Sequence, residues 1–136
     1  MYGEGMIEFR IDHKSGLAPY RQIANQVRLA LRLGLLREGD QLPTVKEVVA
    51  AVAINPNTVL KAYRDLEHEG LVEGRPGVGT FVTRSLAGPS LAAHRFLRKD
   101  LERWMAKARS AGLDDDSIAA LIEDTFHGSV THEGVA

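Results

Sequence analysis

The stretch from Pro43 to Val82, PTVKEVVAAVAINPNTVLKAYRDLEHEGLVEGRPGVGTFV, carries its own punctuation, and that punctuation restricts the fold. Thr44 followed three residues later by Glu47 is a capping-box pattern, in which each side chain satisfies an orphan backbone N–H at a helix start. Asn55 then precedes Pro56, an N-cap residue followed by the one residue whose missing N–H costs nothing at the first helical position. Gly70 ends this second helix about four turns later. Residues 71–83 read as a hairpin, with one strand beginning at Leu71-Val72, Thr80–Thr83 forming the other and Arg75-Pro76-Gly77 near its tip. Gly77 and Gly79 give the backbone conformations that a tight connection needs. Two capped helices, a tight turn between them and a glycine-rich hairpin at once afterwards make the order of a winged helix.

The first of these helices places Val45, Val48, Val49 and Val52 on one side. β-Branched residues lose rotamer freedom in a helix, so only tertiary packing can hold it. In the second, at about 100° per residue, Val59, Ala62, Tyr63 and Leu66 converge on one face. Asn57, Lys61, Arg64 and His68 converge on the opposite one. The apolar set anchors the helix, and the polar set is a row of hydrogen-bonding groups offered to a partner. A merely solvated face would need only solubility, a reading that Asp65, Glu67 and Glu69 fit. The order of elements favours duplex DNA as the partner. Upstream, Ile7, Phe9 and Ile11 alternate with polar residues as in a short strand or extended arm. Pro19 starts a helix reaching about Leu33, with Tyr20, Ile23, Val27, Ala30 and Leu31 as its stripe and Gly34 at its end. Gly39, Asp40 and Pro43 mark a loop.

Gly88 and Pro89 break the chain. From Ser90 to about Ala111 a further helix repeats Leu97, Leu101, Trp104, Met105 and Ala108 at spacings of three and four. Gly112 interrupts it. A last helix opens among Asp114, Asp115 and Asp116, whose charges suit the positive end of a helix dipole. It is expected to bury Ile118, Leu121, Ile122 and Phe126 and to stop at Gly128. The two stripes hold more apolar surface than two short helices bury in each other, which points to a partner subunit. The fold class is therefore α+β, mainly α. A winged helix-turn-helix domain over 7–84 precedes a helical dimerisation or effector region over 90–128, and 1–6 and 129–136 are expected to be flexible tails.

A chain of 136 residues can bury a modest core. With a formal net charge of −1, any DNA contact must rely on a few well-placed cations rather than on a general positive field. No apolar run approaches the roughly 20 residues of a membrane span, and no signal-peptide pattern opens the chain, so a cytoplasmic location is expected. There is no cysteine, and His13, His68, His94, His127 and His132 show no metal-ligand spacing; no metal or other cofactor is expected. The Gly77-x-Gly79 pair is not followed by Lys-Ser or Lys-Thr, and no serine sits in a nucleophile-elbow pattern. Two rivals to a DNA-binding regulator are a winged helix used as a protein-interaction module and a small enzyme on a regulator-like fold. The second lacks a catalytic constellation.

The spacing of Leu42-Pro43-Thr44, Glu47, Asn57-Thr58-Val59, Ala62-Tyr63, Leu66-Glu67, Glu69-Gly70-Leu71 and Gly77-x-Gly79-Thr80-Phe81-Val82 resembles the winged-helix domain of the GntR family of bacterial transcription regulators. Pro19-Tyr20-x-Gln22-Ile23 and Gly39-Asp40 extend the resemblance over about residues 7–83. The short two-helix tail and Asn55-Pro56-Asn57-Thr58-Val59 resemble the YtrA subfamily, in which the tail is associated with dimerisation and genes for ABC transporters are often regulated neighbours. The resemblance implies DNA contacts at Thr44, Lys46, Asn55, Asn57, Thr58, Lys61, Arg64, Arg75, Gly77 and Thr80. Lys46 departs from the usual arginine, keeping the charge but losing the planar fork that grips two acceptors together. The chain is therefore read as a homodimeric repressor on a palindromic operator of double-stranded DNA, with release by an unknown effector. The dimer would form through Leu97, Leu101, Trp104, Met105, Ile118, Leu121, Ile122 and Phe126.

Overall fold

The computed structural model describes residues 7–86 and 91–135. Its elements are α1 (Pro19–Arg32), α2 (Val45–Val52), α3 (Pro56–His68), β1 (Val72–Arg75), β2 (Gly79–Val82), α4 (Leu91–Ser110) and α5 (Asp115–Val135). They fall into two units, Met1–Leu91 and Ala92–Ala136. The expected break at Gly88 and Pro89 lies outside the described residues.

In the first unit the N-terminal segment is an extended arm rather than a strand. Two glutamines one turn apart on α1 take the place of a neighbouring strand. Gln26 accepts from the Arg10 N–H at 2.9 Å and donates to the Arg10 carbonyl at 2.6 Å. Gln22, itself buried, accepts from the Asp12 N–H at 2.8 Å and donates to the carbonyls of Asp12 and Leu17. This pairing lets Phe9 enter the core without leaving its neighbours' backbone groups unsatisfied. α1 closes as expected at Gly34, whose φ of 75° allows the Leu35 N–H to reach back to the Ala30 carbonyl.

Both caps of the helical pair form. The Thr44 side chain accepts from the Glu47 N–H while Glu47 accepts from the Thr44 N–H, and Asn55 accepts from the Asn57 N–H at 2.8 Å. Val48 is fully buried; Val45, Val49 and Val52 are half-buried against the core. The turn between the helices contains a departure from the sequence pattern. Ala53 takes the left-handed conformation, φ 52° and ψ 49°, a position usually given to glycine. α3 ends at Gly70, φ 76°, with the Leu71 N–H on the Leu66 carbonyl.

The hairpin pairs Val72 with Val82, Glu73 with Phe81, Gly74 with Thr80 and Arg75 with Gly79. Its strands are displaced by one residue from the expected ones, and Arg75 belongs to β1. The segment expected to be a plain loop, residues 39–42, lies along the other side of β2. The N–H groups of Gly39 and Leu42 reach the carbonyls of Val82 and Thr80, and the Val82 N–H reaches the Asp40 carbonyl, each at 2.8 Å. Gln41 forms a β-bridge with Phe81. The wing is thereby clipped to the chain that leads into α2. Ile23, Val27, Leu31, Leu36, Leu42, Val59, Leu66 and Val82 form the centre of one core against which these elements pack.

In the second unit, Gly112 (φ 98°) turns the chain, and Asp114 caps α5 by accepting from the Ser117 N–H at 2.8 Å. Two expectations fail here. α5 runs through Gly128 to Val135, so residues 129–135 are helical instead of a loose tail. Gly128 has no positive φ, and without one a glycine lowers helix propensity by about 1 kcal/mol without forcing a stop. Of the apolar residues expected to be buried in α5, only Ile118 is. Leu121, Ile122 and Phe126 are exposed, as are Leu97, Leu101 and Trp104 on α4, while Met105 is half-buried. Among the described residues of α4 and α5, only Ala108 and Ile118 are buried apolar residues. Among the described residues no helix is long and apolar enough to cross a membrane.

Candidate nucleic-acid interface

α3 is held from below and at both ends. Val59, Ala62, Tyr63 and Leu66 are buried, and the Tyr63 hydroxyl donates to the Pro43 carbonyl at 2.6 Å. Near the C-terminal end the Arg28 guanidinium of α1 makes a forked contact with Glu69, its Nε lying 3.1 Å from both carboxylate oxygens. This bond raises the guanidinium pKa further above its ordinary value. Both side chains keep about a third or more of their surface in water, so the pair orients the helix more than it stabilises the fold. At the other end Asn55 caps the helix, and its first turn contains no acid, which leaves the positive end of the helix dipole unopposed.

The outward side of α3 presents Asn57, Lys61, Arg64 and His68, all exposed. They lie within one helical stripe, since steps of four, three and four residues return to nearly the same azimuth. Among the described residues no acid pairs with Lys46, Lys61 or Arg64. Lys61 does have a neighbour: its Nζ lies 4.1 Å from the centre of the Tyr20 ring. Thr58 is half-buried beside the stripe, and Lys46 is exposed on α2.

Thr44, Arg75, Gly77 and Thr80 come together around one open groove between the start of α2 and the wing, with Glu67 of α3 at its base. Glu67 accepts from the Gly74 N–H at 2.7 Å and so ties the wing to α3. In the capping box Thr44 spends an acceptor site and keeps its hydroxyl proton for a partner; Asn55 likewise keeps its amide NH2. The Glu47 carboxyl is held below its ordinary pKa by the Thr44 hydrogen bonds, which favour its charged form. At the tip, Gly77 has φ 75° and the Val78 N–H closes on the Arg75 carbonyl. Gly79 has φ 146°, and a Cβ there would lie 2.5 Å from the Gln41 amide nitrogen. Arg75 faces Glu73 at 3.8 Å and sits over the Phe81 ring, its Cζ 4.4 Å from the centroid.

Gln41 under the wing, Tyr20 beside Lys61 and the Tyr63 hydroxyl are parts of this site that residue patterns alone do not reveal. The alternation Asp40-Gln41-Leu42 before Pro43 is the one local signal of the third wing segment. No group of three or more His, Cys, Asp or Glu that could hold a metal ion occurs among the described residues.

A rigid helix-turn-helix with a clipped wing and a row of exposed donors defines the winged-helix class of DNA-binding domain. Residues 19–82 match the family model described as bacterial regulatory proteins, gntR family. The transcriptional repressor YtrA of Bacillus subtilis is 32% identical over 85% of this chain and 89% of its own length. The solved structure of YtrA from Sulfolobus acidocaldarius, a GntR-family transcription factor, shares 30% identity over 72% of this chain and 97% of that one, with a TM-score of 0.52. The DNA-binding domain of AraR, solved in complex with its operator ORX1, shares 25% identity over 57% of this chain and 98% of that one, with a TM-score of 0.50. The chain belongs to the GntR family of bacterial transcription regulators and, within it, to the YtrA subfamily. Its relatives are regulators, which sets the small-enzyme rival aside.

Proposed function

We propose that this regulator is a homodimeric repressor that reads a palindromic operator. α3 enters the major groove with its N-terminal residues over the base edges, and the wing lies along the backbone or the adjacent minor groove. Asn57 and Thr58 make base contacts, while Lys46, Lys61, Arg64 and Arg75 divide between phosphate and base. The observation that carries this reading is the exposed stripe of Asn57, Lys61 and Arg64 opposite a fully buried anchoring face. The repressor name of the Bacillus relative and the operator complex of AraR support it.

Dimerisation runs through α4 and α5. Support comes from Leu97, Leu101, Trp104, Leu121, Ile122 and Phe126, large apolar side chains that a single chain leaves in water. Two-fold symmetry then sets half-sites about one helical turn apart or a multiple of it. The regulated genes include those of a transporter, and a small-molecule effector releases the protein from DNA. A mobility-shift titration of the wild type and of Lys61→Ala/Arg64→Ala against DNA upstream of the protein's own gene tests the central claim. Equal affinity of both proteins for that DNA and for an unrelated duplex overturns it.

A further inference from the structure

The geometry points to Tyr20 and Phe81 as positioning residues for DNA binding, each seating one of the cations, Lys61 and Arg75, that the proposed interface directs at DNA. The inference rests on that reading of Lys61 and Arg75. It adds two residues that contact no nucleotide themselves and act through the cation they hold.

The two seats are built independently. Tyr20 stands in the first turn of α1, half-buried against the core, and its ring lies 4.1 Å from the Lys61 Nζ across the α1–α3 junction. Phe81 stands on β2 opposite Glu73, and Arg75 is opposite Gly79. Alternate residues share a sheet face, so Arg75, Glu73, Phe81 and Gly79 all project to the same side. Because Gly79 has no side chain, nothing occupies the place across from Arg75, and its guanidinium reaches diagonally over the Phe81 ring at 4.4 Å. An L side chain at position 79 would be strained by the φ of 146° and would have to push the Gln41 amide aside.

A long cation on an open surface samples many rotamers and must give them up when it meets a phosphate. An aromatic face attracts the cation and narrows that sampling, while the N–H groups pointing away from the ring stay available. Ordering a flexible side chain before binding removes an expense that binding would otherwise carry, worth about three- to tenfold in affinity for each side chain. Glu73, 3.8 Å from Arg75 and exposed, competes for the same guanidinium. The ring has the advantage of leaving the positive charge unneutralised.

The full chain is used, with a duplex that it selects from a random-sequence pool, and binding is followed by fluorescence anisotropy across a salt series. Tyr20→Leu and Phe81→Leu should each weaken binding about three- to tenfold, whereas Tyr20→Phe and Phe81→Tyr, which keep an aromatic face, should stay within about twofold of the wild type. In a Lys61→Ala background Tyr20→Leu should add no further loss, and likewise Phe81→Leu in Arg75→Ala. Because Tyr20 packs on the core, melting curves are taken for every variant; general loosening would weaken binding equally in both backgrounds, which the cycle detects. Additive losses overturn the inference, as does Tyr20→Phe failing as badly as Tyr20→Leu. If Lys61→Ala and Arg75→Ala themselves bind as tightly as wild type, the interface reading fails instead.

Discussion

The Tyr63 hydroxyl donates a 2.6 Å hydrogen bond to the carbonyl of Pro43, joining the middle of α3 to the residue just ahead of the α2 N-cap. Both residues are buried, so neither group could turn to water instead. The bond fixes where α2 begins relative to α3, and with it the position of Thr44 at the groove. Tyr63→Phe keeps the ring and leaves a buried carbonyl short of its partner, which should cost about 1–3 kcal/mol. Urea unfolding should show a lower midpoint at unchanged slope. An unchanged midpoint would mean that another group satisfies Pro43.

Arg64 and Lys61 both lie off the buried face of α3, Lys61 with its Nζ against the Tyr20 ring of α1. Arg64→Ala should melt with the wild type and bind operator more weakly, by about 1–3 kcal/mol for a base contact, or with a salt slope reduced by about one for a phosphate contact. Lys61→Ala should behave alike, apart from about 0.5–1 kcal/mol of stability lost with its contact to Tyr20. Undiminished operator affinity in both variants removes the stripe from the interface.

The capping carboxylates set an acid limit. Glu47 and Asp114 both have pKa values lowered by hydrogen bonds, from Thr44 and from Ser117 respectively. A lowered folded-state pKa means that the charged form is favoured by folding. The contribution is complete above the ordinary value of 4.5 for Glu47 and 3.8 for Asp114, and it fades as pH falls through the lower folded value. Glu47→Gln keeps an acceptor for the Thr44 N–H but cannot titrate. It should be less stable than the wild type near neutral pH and match it at the acid end, as read from denaturant midpoints across pH. A gap that persists unchanged into acid contradicts this assignment.

Much of this architecture is written locally, and that part is legible. A capping box needs only Thr44 and Glu47, a helix start only Asn55 and Pro56, and the split of α3 into buried and exposed faces only its own periodicity. The hidden parts depend on residues far apart in the chain. Gln41 meets Phe81, Tyr20 meets Lys61 and Arg28 meets Glu69, and no spacing rule pairs them. Gly128 misleads for another reason: glycine permits a helix end without compelling one. The exposed state of Phe126 was hidden because a stripe shows that burial is wanted, not which surface supplies it.

Ala53 is the opposite case, a required conformation with no residue to announce it. Its left-handed backbone crowds the Cβ against the chain and costs about 1–2 kcal/mol that glycine would not incur. Part of that gain is offset by glycine's greater freedom in the unfolded chain. Ala53→Gly should therefore raise stability by about 0.5–1 kcal/mol and leave operator affinity unchanged. A lower melting temperature would show that the methyl group makes a contact worth more than the strain.

Dimerisation through α4 and α5 is the claim with the widest consequences for recognition. Phe126 is 68% exposed and Leu97 64% in the single chain, apolar surface that a partner subunit would cover. The winged helix has a core of its own, built entirely from residues 9–82, and does not need the second unit to close it. Leu101→Glu/Phe126→Glu in the full chain should therefore give a folded monomer by sedimentation. Ending the chain at Gly88 should give the same. Both should retain weak, salt-sensitive binding to any duplex and lose the preference for a palindrome, because one recognition helix reads only one half-site. A stable dimer without residues beyond Gly88 would move the interface into the winged helix and sink the assignment.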